Sequence, residues 1–266
     1  MVDILVRLLA DFKKCKAVGM RENYVNPTIE KHLKRFSKFY KQLEKRKFEE
    51  WPNREEQISD HFMLSSTIKK YSIIILENLE FAFPEIKKIS DVQLKIIRNN
   101  FLPSFMIAEV AYQSEIPTQW MLPNGTYVDT ENVGSFYNNP RAAELYRPYW
   151  DIGIKNCMIP IIEANLDRFE FQFLAALIFW DSKLPKLTTE IENLCEKNRQ
   201  EVMEELSKYL KCLHQDESPV RVAKIVMLLK GIGVAVESFN DSLIMTQLHS
   251  FEEYHRTLYE LNGLKL

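Results

Sequence analysis

The chain of 266 residues is 46% hydrophobic, and its 35 basic and 37 acidic side chains leave a formal charge of -2; this is enough apolar content for a large core, and it excludes a global field that would draw the molecule onto nucleic acid. Cys15, Cys157, Cys195 and Cys212 are scattered without a CxxC pair, against both a disulfide framework and a complete zinc site. Apolar runs such as 173–180 and 225–229 fall well short of the ~20 residues that span a bilayer, and Asp3 and Arg7 spoil the amino terminus as a signal peptide, so the expectation is a soluble protein of a reducing, intracellular compartment.

Seven glycines and eleven prolines, the latter gathered between segments, leave long stretches without breakers, as helices require. From 27 to 48, Ile29, Leu33, Phe36, Tyr40 and Leu43 recur at steps of four and three and fall on one helical face. The other face carries Lys31, Lys34, Arg35, Lys38, Lys41, Lys45, Arg46 and Lys47. It reads as solvated surface, with a nuclear-import signal or phosphate contact as the alternative. After Trp51 and Pro52 a helix is predicted over 65–83, unbroken by polar residues from Ile73 to Leu76, buried nearly all round and ended by Pro84. Ser90 predicts an N-cap for a helix through Leu94, Ile96, Ile97 and Phe101, and Pro103 predicts a kink or fresh start before 105–112. Asn124-Gly125 between apolar residues predicts one small β-hairpin near 120–128. Further helices are predicted at 138–164, 167–180, 187–213 and 218–248, with a short terminal piece at 251–261.

No catalytic constellation assembles. His32, His61, His214, His249 and His255 lack partners at metal-ligand spacing, and Gly231 and Gly233 form a lone GxG inside a helical run, better explained by close helix packing than by a nucleotide loop. Paired carboxylates such as Glu49-Glu50 and Glu204-Glu205 lie in charged, solvated stretches. The reading is therefore no enzyme, no cofactor and no metal. Asn78, Glu80, Glu109 and Gln113 stand inside apolar runs. Burial of such groups demands a partner, water or ligand, so each is either a satisfied structural pair or part of a pocket lining.

On these residues a resemblance appears. Leu79-Glu80-Phe81-Ala82-Phe83-Pro84-Glu85-Ile86, followed by Gln93-Leu94-Lys95-Ile96-Ile97-Arg98, resembles the signature joining the third to fifth helices of nuclear hormone receptor ligand-binding domains, with Val92 in the slot of an Asp. The run Leu166 to Ala176 resembles the family's eighth helix, with Glu170 at its acidic position, and Arg221 to Val226 resembles the opening of its tenth. The similarity covers roughly 60–262 and comes nearest to the nematode-expanded group related to hepatocyte nuclear factor receptors. Separately, Phe12 to Met20 resembles the stretch that closes the receptor DNA-binding module, Cys15 matching its last zinc ligand. Ala10 and Arg7 occupy the preceding ligand slots and cannot bind zinc. One thiolate makes no four-coordinate site, so neither zinc nor autonomous reading of DNA is expected.

The resemblance implies an all-α, three-layer antiparallel sandwich of about ten to twelve helices. It divides the chain into a module remnant (1–24), a hinge with the first helix (25–64) and the ligand-binding domain (65–266). It implies a nuclear transcription regulator that takes a small lipophilic ligand at Thr67, Tyr71, Ile74, Leu102, Met106, Val110, Gln113, Phe239 and Ser242. With Gln113 where receptors for acidic ligands often carry an arginine, a neutral ligand or none is implied. A coregulator helix would dock against Lys87, Lys88 or Lys95 and a terminal helix bearing Leu258, Glu260 and Leu261, although Thr257 and Asn262 depart from the pattern there. Glu170 would form a structural ion pair with an arginine near Arg199 or Arg221, and 221–236 would serve a homodimer or receptor heterodimer. The alternative is an all-α dimerisation module without a ligand that sequesters receptor partners.

Overall fold

The computed structural model describes residues 31–53 and 57–248. The chain there is helical apart from one hairpin. Helix α1 (Lys31–Glu50) presents Phe36, Phe39, Tyr40 and Leu43 to the interior. Helix α2 (His61–Ala82) starts four residues before the predicted 65, because the Asp60 carboxylate caps it by accepting from the Met63 amide at 2.8 Å. It ends at Phe83, where Pro84 opens a 3₁₀ turn, Pro84–Lys88. Helix α3 (Asp91–Gln113) continues through Pro103, so no fresh helix starts there. Ser90 sits at its N-cap position without a side-chain hydrogen bond.

Strands β1 (Gln119–Met121) and β2 (Tyr127–Asp129) pair antiparallel, Trp120 opposite Val128. The turn carries Pro123 and Asn124 at its centre, closed by Gly125 N–H on the Leu122 carbonyl, and Gly125 takes φ 89°. That positive φ is the glycine requirement behind the Asn-Gly signal. A short helix α4 (Val133–Tyr137) precedes the predicted start at 138. Asn139 then caps α5 (Pro140–Gly153), which passes through a π turn (Ile154–Met158) into α6 (Ile159–Ala164). Helices α7 (Arg168–Phe179), α8 (Thr189–His214) and α9 (Ser218–Leu248) complete the fold.

Helix α7 is buried from Glu170 to Phe179 and packs with α1, α3 and α8, the place of a middle-layer element. Around it α1 lies against α2, and α9 crosses α5, α8 and α3. Gly231 allows one of these crossings: a Cβ there would lie 2.0 Å from the Asn156 carbonyl oxygen in the π turn, whereas one on Gly233 would meet nothing. Close packing therefore accounts for the first glycine of the pair and not the second. The signature Gln93 also has a visible task, donating to the Lys186 carbonyl at 3.1 Å and accepting from the Thr188 amide at 2.8 Å, which ties α3 to the loop before α8. Among the described residues no helix is long and apolar enough to cross a membrane.

Candidate ligand cavity and its surroundings

The interior divides into two main hydrophobic clusters. The larger joins α1, α2, α3, α7, α8 and α9. The smaller comprises Leu64, Leu122, Val128, Val133, Phe136, Tyr137, Ala142 and Tyr146. On the seam between them lies a cavity of about 120 Å³. Helix α2 contributes Leu64, Ile68 and Tyr71, spaced i, i+4, i+7. Helix α3 contributes Leu102, Pro103, Met106, Ile107 and Val110, again at helical spacing. The hairpin adds Trp120, Leu122, Pro123 and Val128; α4 and α5 add Tyr137, Tyr149, Trp150 and Gly153; α9 adds Ala235, Phe239 and Ser242.

Six of the nine sequence-predicted pocket positions stand on this wall: Tyr71, Leu102, Met106, Val110, Phe239 and Ser242. Three do not. Thr67, one position off the stripe of Leu64, Ile68 and Tyr71, faces a separate open cleft with Trp51, Met63 and Asn124. Ile74, one turn beyond Tyr71, is buried in the larger cluster. Gln113 is exposed, because α3 ends there and Ser114 turns the chain toward the hairpin, its hydroxyl accepting from the Met121 amide at 2.9 Å. The inference from Gln113 about ligand charge therefore loses its basis. Sequence reading missed the aromatic rim of Trp120, Tyr137, Tyr149 and Trp150. A helical spacing of Tyr146, Trp150 and Gly153 was available as a signal, but it reads equally well as ordinary core.

Behind Tyr71 is a buried polar cluster. Glu109 neighbours Val110, and the ~100° step between consecutive helical residues turns it away from the cavity toward α1. Its carboxylate accepts from Lys47 Nζ at 2.9 Å and from the Tyr71 hydroxyl. Lys47 and Glu109 are 3% and 2% exposed, so neither charge is stable there without the other. Burial alone would depress the Lys47 ammonium, yet the facing carboxylates of Glu109 and Glu44 hold it above its ordinary range. Burial and then the Glu109 charge push the Tyr71 phenol well up, keeping it a neutral donor. One residue of the basic face of α1 is thus an interior charge. Other members are paired rather than free, Arg35 with Glu85 at 2.7 Å and Arg46 with Glu77 at 3.0 Å. Of the four polar residues noted in apolar runs, Glu109 is this paired group and buried Asn78 donates to the Ile74 carbonyl, whereas Glu80 is exposed and pairs with Lys87 at 3.0 Å.

Away from the cavity, Arg221 donates Nε and Nη2 to the two oxygens of Glu170 at 2.5 and 2.6 Å, and Nη1 to the Ala164 carbonyl at 2.8 Å. Those hydrogen bonds to Glu170 raise the Arg221 guanidinium further. Glu170 also closes a capping box with Asp167, so one carboxylate fixes both the start of α7 and its junction with α9. Arg199 serves elsewhere, donating to the Leu177 carbonyl.

Lys87, Lys88 and Lys95 are exposed at the α2–α3 junction, beside Val92, which is 72% exposed; Leu258, Glu260 and Leu261 lie outside the described residues, as does the segment 1–24. On α9 the residues Ala223, Lys224, Met227 and Lys230 form an exposed stripe, Met227 being 74% exposed. Among the described residues no group of His, Cys, Asp or Glu could hold a metal ion.

A family model for the ligand-binding domain of nuclear hormone receptor matches residues 65–249. The chain is similar to three Caenorhabditis elegans proteins that bear the name nuclear hormone receptor family member. With nhr-42 it is 25% identical over 285 aligned positions, covering 93% of this chain and 80% of the relative. With nhr-16 it is 29% identical over 69% of this chain and 50% of the relative, and with nhr-86 28% identical over 64% and 46%. The chain thus spans most of the length of one of these relatives and half or less of the other two.

Proposed function

The chain belongs to the nuclear hormone receptor family and carries its ligand-binding domain, and from that premise we propose that it acts in the nucleus as a transcription regulator whose coregulator contacts depend on a small lipophilic molecule held in the seam cavity. The observation that carries this reading is the lining of that cavity. Its walls come from α2, α3, α5, α9 and the hairpin, and apolar side chains dominate them, the arrangement expected of a small-molecule site. An occupant touching both Tyr71 on α2 and Phe239 and Ser242 on α9 would bias how the end of α9 lies against α2 and α3, and with it the surface around Lys87, Lys88 and Lys95. Native mass spectrometry of protein purified from cells tests the proposal, with a co-purifying lipophile expected at one copy per chain.

One observation favours a second reading. About 120 Å³ is small against the roughly 300–1,000 Å³ of drug-sized ligand sites, and the exposed stripe of α9 offers a surface for a second receptor chain. In that reading the module acts by pairing, without a ligand. A consistently ligand-free mass together with a dimer in sedimentation would favour it.

A further inference from the structure

Resting on the ligand-binding reading, the size and chemistry of the cavity narrow the occupant to one class: we propose that this domain takes a compact, uncharged, ring-sized aromatic compound rather than a fatty acid, a sterol or any charged molecule.

Three observations converge. The first is volume. An apolar cavity of about 150 Å³ accepts benzene, and the seam cavity measures about 120 Å³, so a single ring with a short substituent fills it and a sterol does not. The second is the absence of a charged anchor. No Asp, Glu, Lys, Arg or His stands among the lining residues, and the polar side chains of Tyr71, Ser242, Trp120 and Trp150 are engaged with the protein. Tyr71 donates to Glu109, Ser242 to the Phe239 carbonyl at 2.6 Å, Trp120 to the Pro117 carbonyl at 3.1 Å and Trp150 to the Tyr137 hydroxyl at 3.2 Å. The nearest buried charge, Glu109, is already neutralised by Lys47. A carboxylate or ammonium would enter without a counter-charge, leaving its desolvation unrecovered. The third is shape. Trp120 and Trp150 lie with ring centroids 4.7 Å apart and 50° between planes, and Phe136 stands behind Trp150 at 5.3 Å. This rim offers both faces and edges to an entering ring, the two arrangements that aromatic pairs prefer.

The wall also sets its own limit. A Cβ on Gly153 would come within 3.1 Å of the Trp120 ring, so Trp120 keeps its position because residue 153 has no side chain.

The test is a titration of the full chain with toluene, benzoate, benzylammonium and oleate, followed by tryptophan fluorescence and thermal melting. Toluene is expected to saturate and raise the melting temperature, with both charged isosteres at least tenfold weaker. Ala235→Leu, which fills the cavity, is expected to weaken toluene more than tenfold. Leu102→Ala, which enlarges it, is expected to shift preference from toluene to naphthalene, keeping the question open to decision should Ala235→Leu fail to fold. Benzoate or benzylammonium binding as tightly as toluene overturns the inference. Oleate binding where toluene does not also overturns it, and leaves the ligand-regulated reading standing. Indifference to every probe, with a ligand-free native mass, overturns both.

Discussion

The half of the interior around Phe83 and the half around the seam cavity draw on the same kinds of side chain and pack them differently. In the first, Phe83 stacks on Phe179 at 3.5 Å and meets Phe36, Phe101 and Trp180 edge-on within 5.9 Å. Phe36, Phe101 and Phe179 come from regular helices and Phe83 and Trp180 from the C-caps of α2 and α7, and Ala175 and Ala176 on α7 let neighbouring helices approach. In the second, Trp120, Phe136, Tyr137 and Trp150 come from a hairpin, a five-residue helix and the stretch of α5 before its π turn. Small or rigid residues, Pro103, Gly153 and Ala235, complete the wall. Large rings held at a rim by irregular backbone, against small residues opposite, leave space that regular helices packed ridge into groove do not. Cavity volume is therefore set by backbone irregularity, not by a shortage of large side chains.

The largest expected effect lies on the pin between the two halves. Lys47→Met leaves the Glu109 carboxylate buried and unpaired beside Tyr71, and the loss should be about 3–5 kcal/mol of unfolding free energy, read as a fall in urea midpoint. Lys47→Met combined with Glu109→Met should recover most of it. A Lys47→Met chain as stable as the parent would mean that the pair does not join the halves.

Matched leucines sharpen the contrast next. Leu79 is fully buried in the solid half and Leu102 lies on the cavity wall. Leu79→Ala should cost about 3–4 kcal/mol and Leu102→Ala about 2–3 kcal/mol, because a side chain that already faces space has fewer contacts to lose. Equal costs would break the comparison. Added methyl groups should keep the same order. Ala176→Val overfills a site 1% exposed and should cost about 1–3 kcal/mol, while Ala235→Val has the cavity to enter and should change the thermal midpoint little.

The same contrast governs what could be read from the sequence. Regular periodicity made α1, α2, α3, α7, α8 and α9 legible, and the Asn124-Gly125 pair located the hairpin, because these signals are local. Tyr71, Leu102 and Met106 were placed by the family signature, since they stand on helices whose phase the motif fixes. The rim of Trp120, Tyr137 and Trp150 was not legible: its position depends on where a hairpin and a π turn set side chains in space, and the helical spacing of Tyr146, Trp150 and Gly153 does not tell a cavity rim from ordinary core. Lys47 was misread as solvated because its partner Glu109 lies 62 positions away. A charge on an amphipathic face shows nothing of such a partner.

The smallest effect tests whether surface charge contributes to the solid half. Glu201 on α8 accepts from Lys31 Nζ at 2.7 Å and pairs with His32 at 3.3 Å, fastening the start of α1. The Lys31 hydrogen bond chiefly holds its pKa below the ordinary value, against an opposing contribution from burial. A carboxylate depressed in the folded state contributes stability that is fully present above its unfolded value, about 4.3, and lost as pH falls through the folded one. Since Glu201 is one-third exposed, the contribution should not exceed a few tenths of a kcal/mol. Lys31→Met should therefore move the Glu201 titration, followed by NMR, back toward the ordinary value and shave only that much from stability at neutral pH. A larger loss would mean that α1 is held by its ionic rim as much as by Phe36, Phe39 and Leu43, and the packing account of the solid half would have to share its weight with electrostatics.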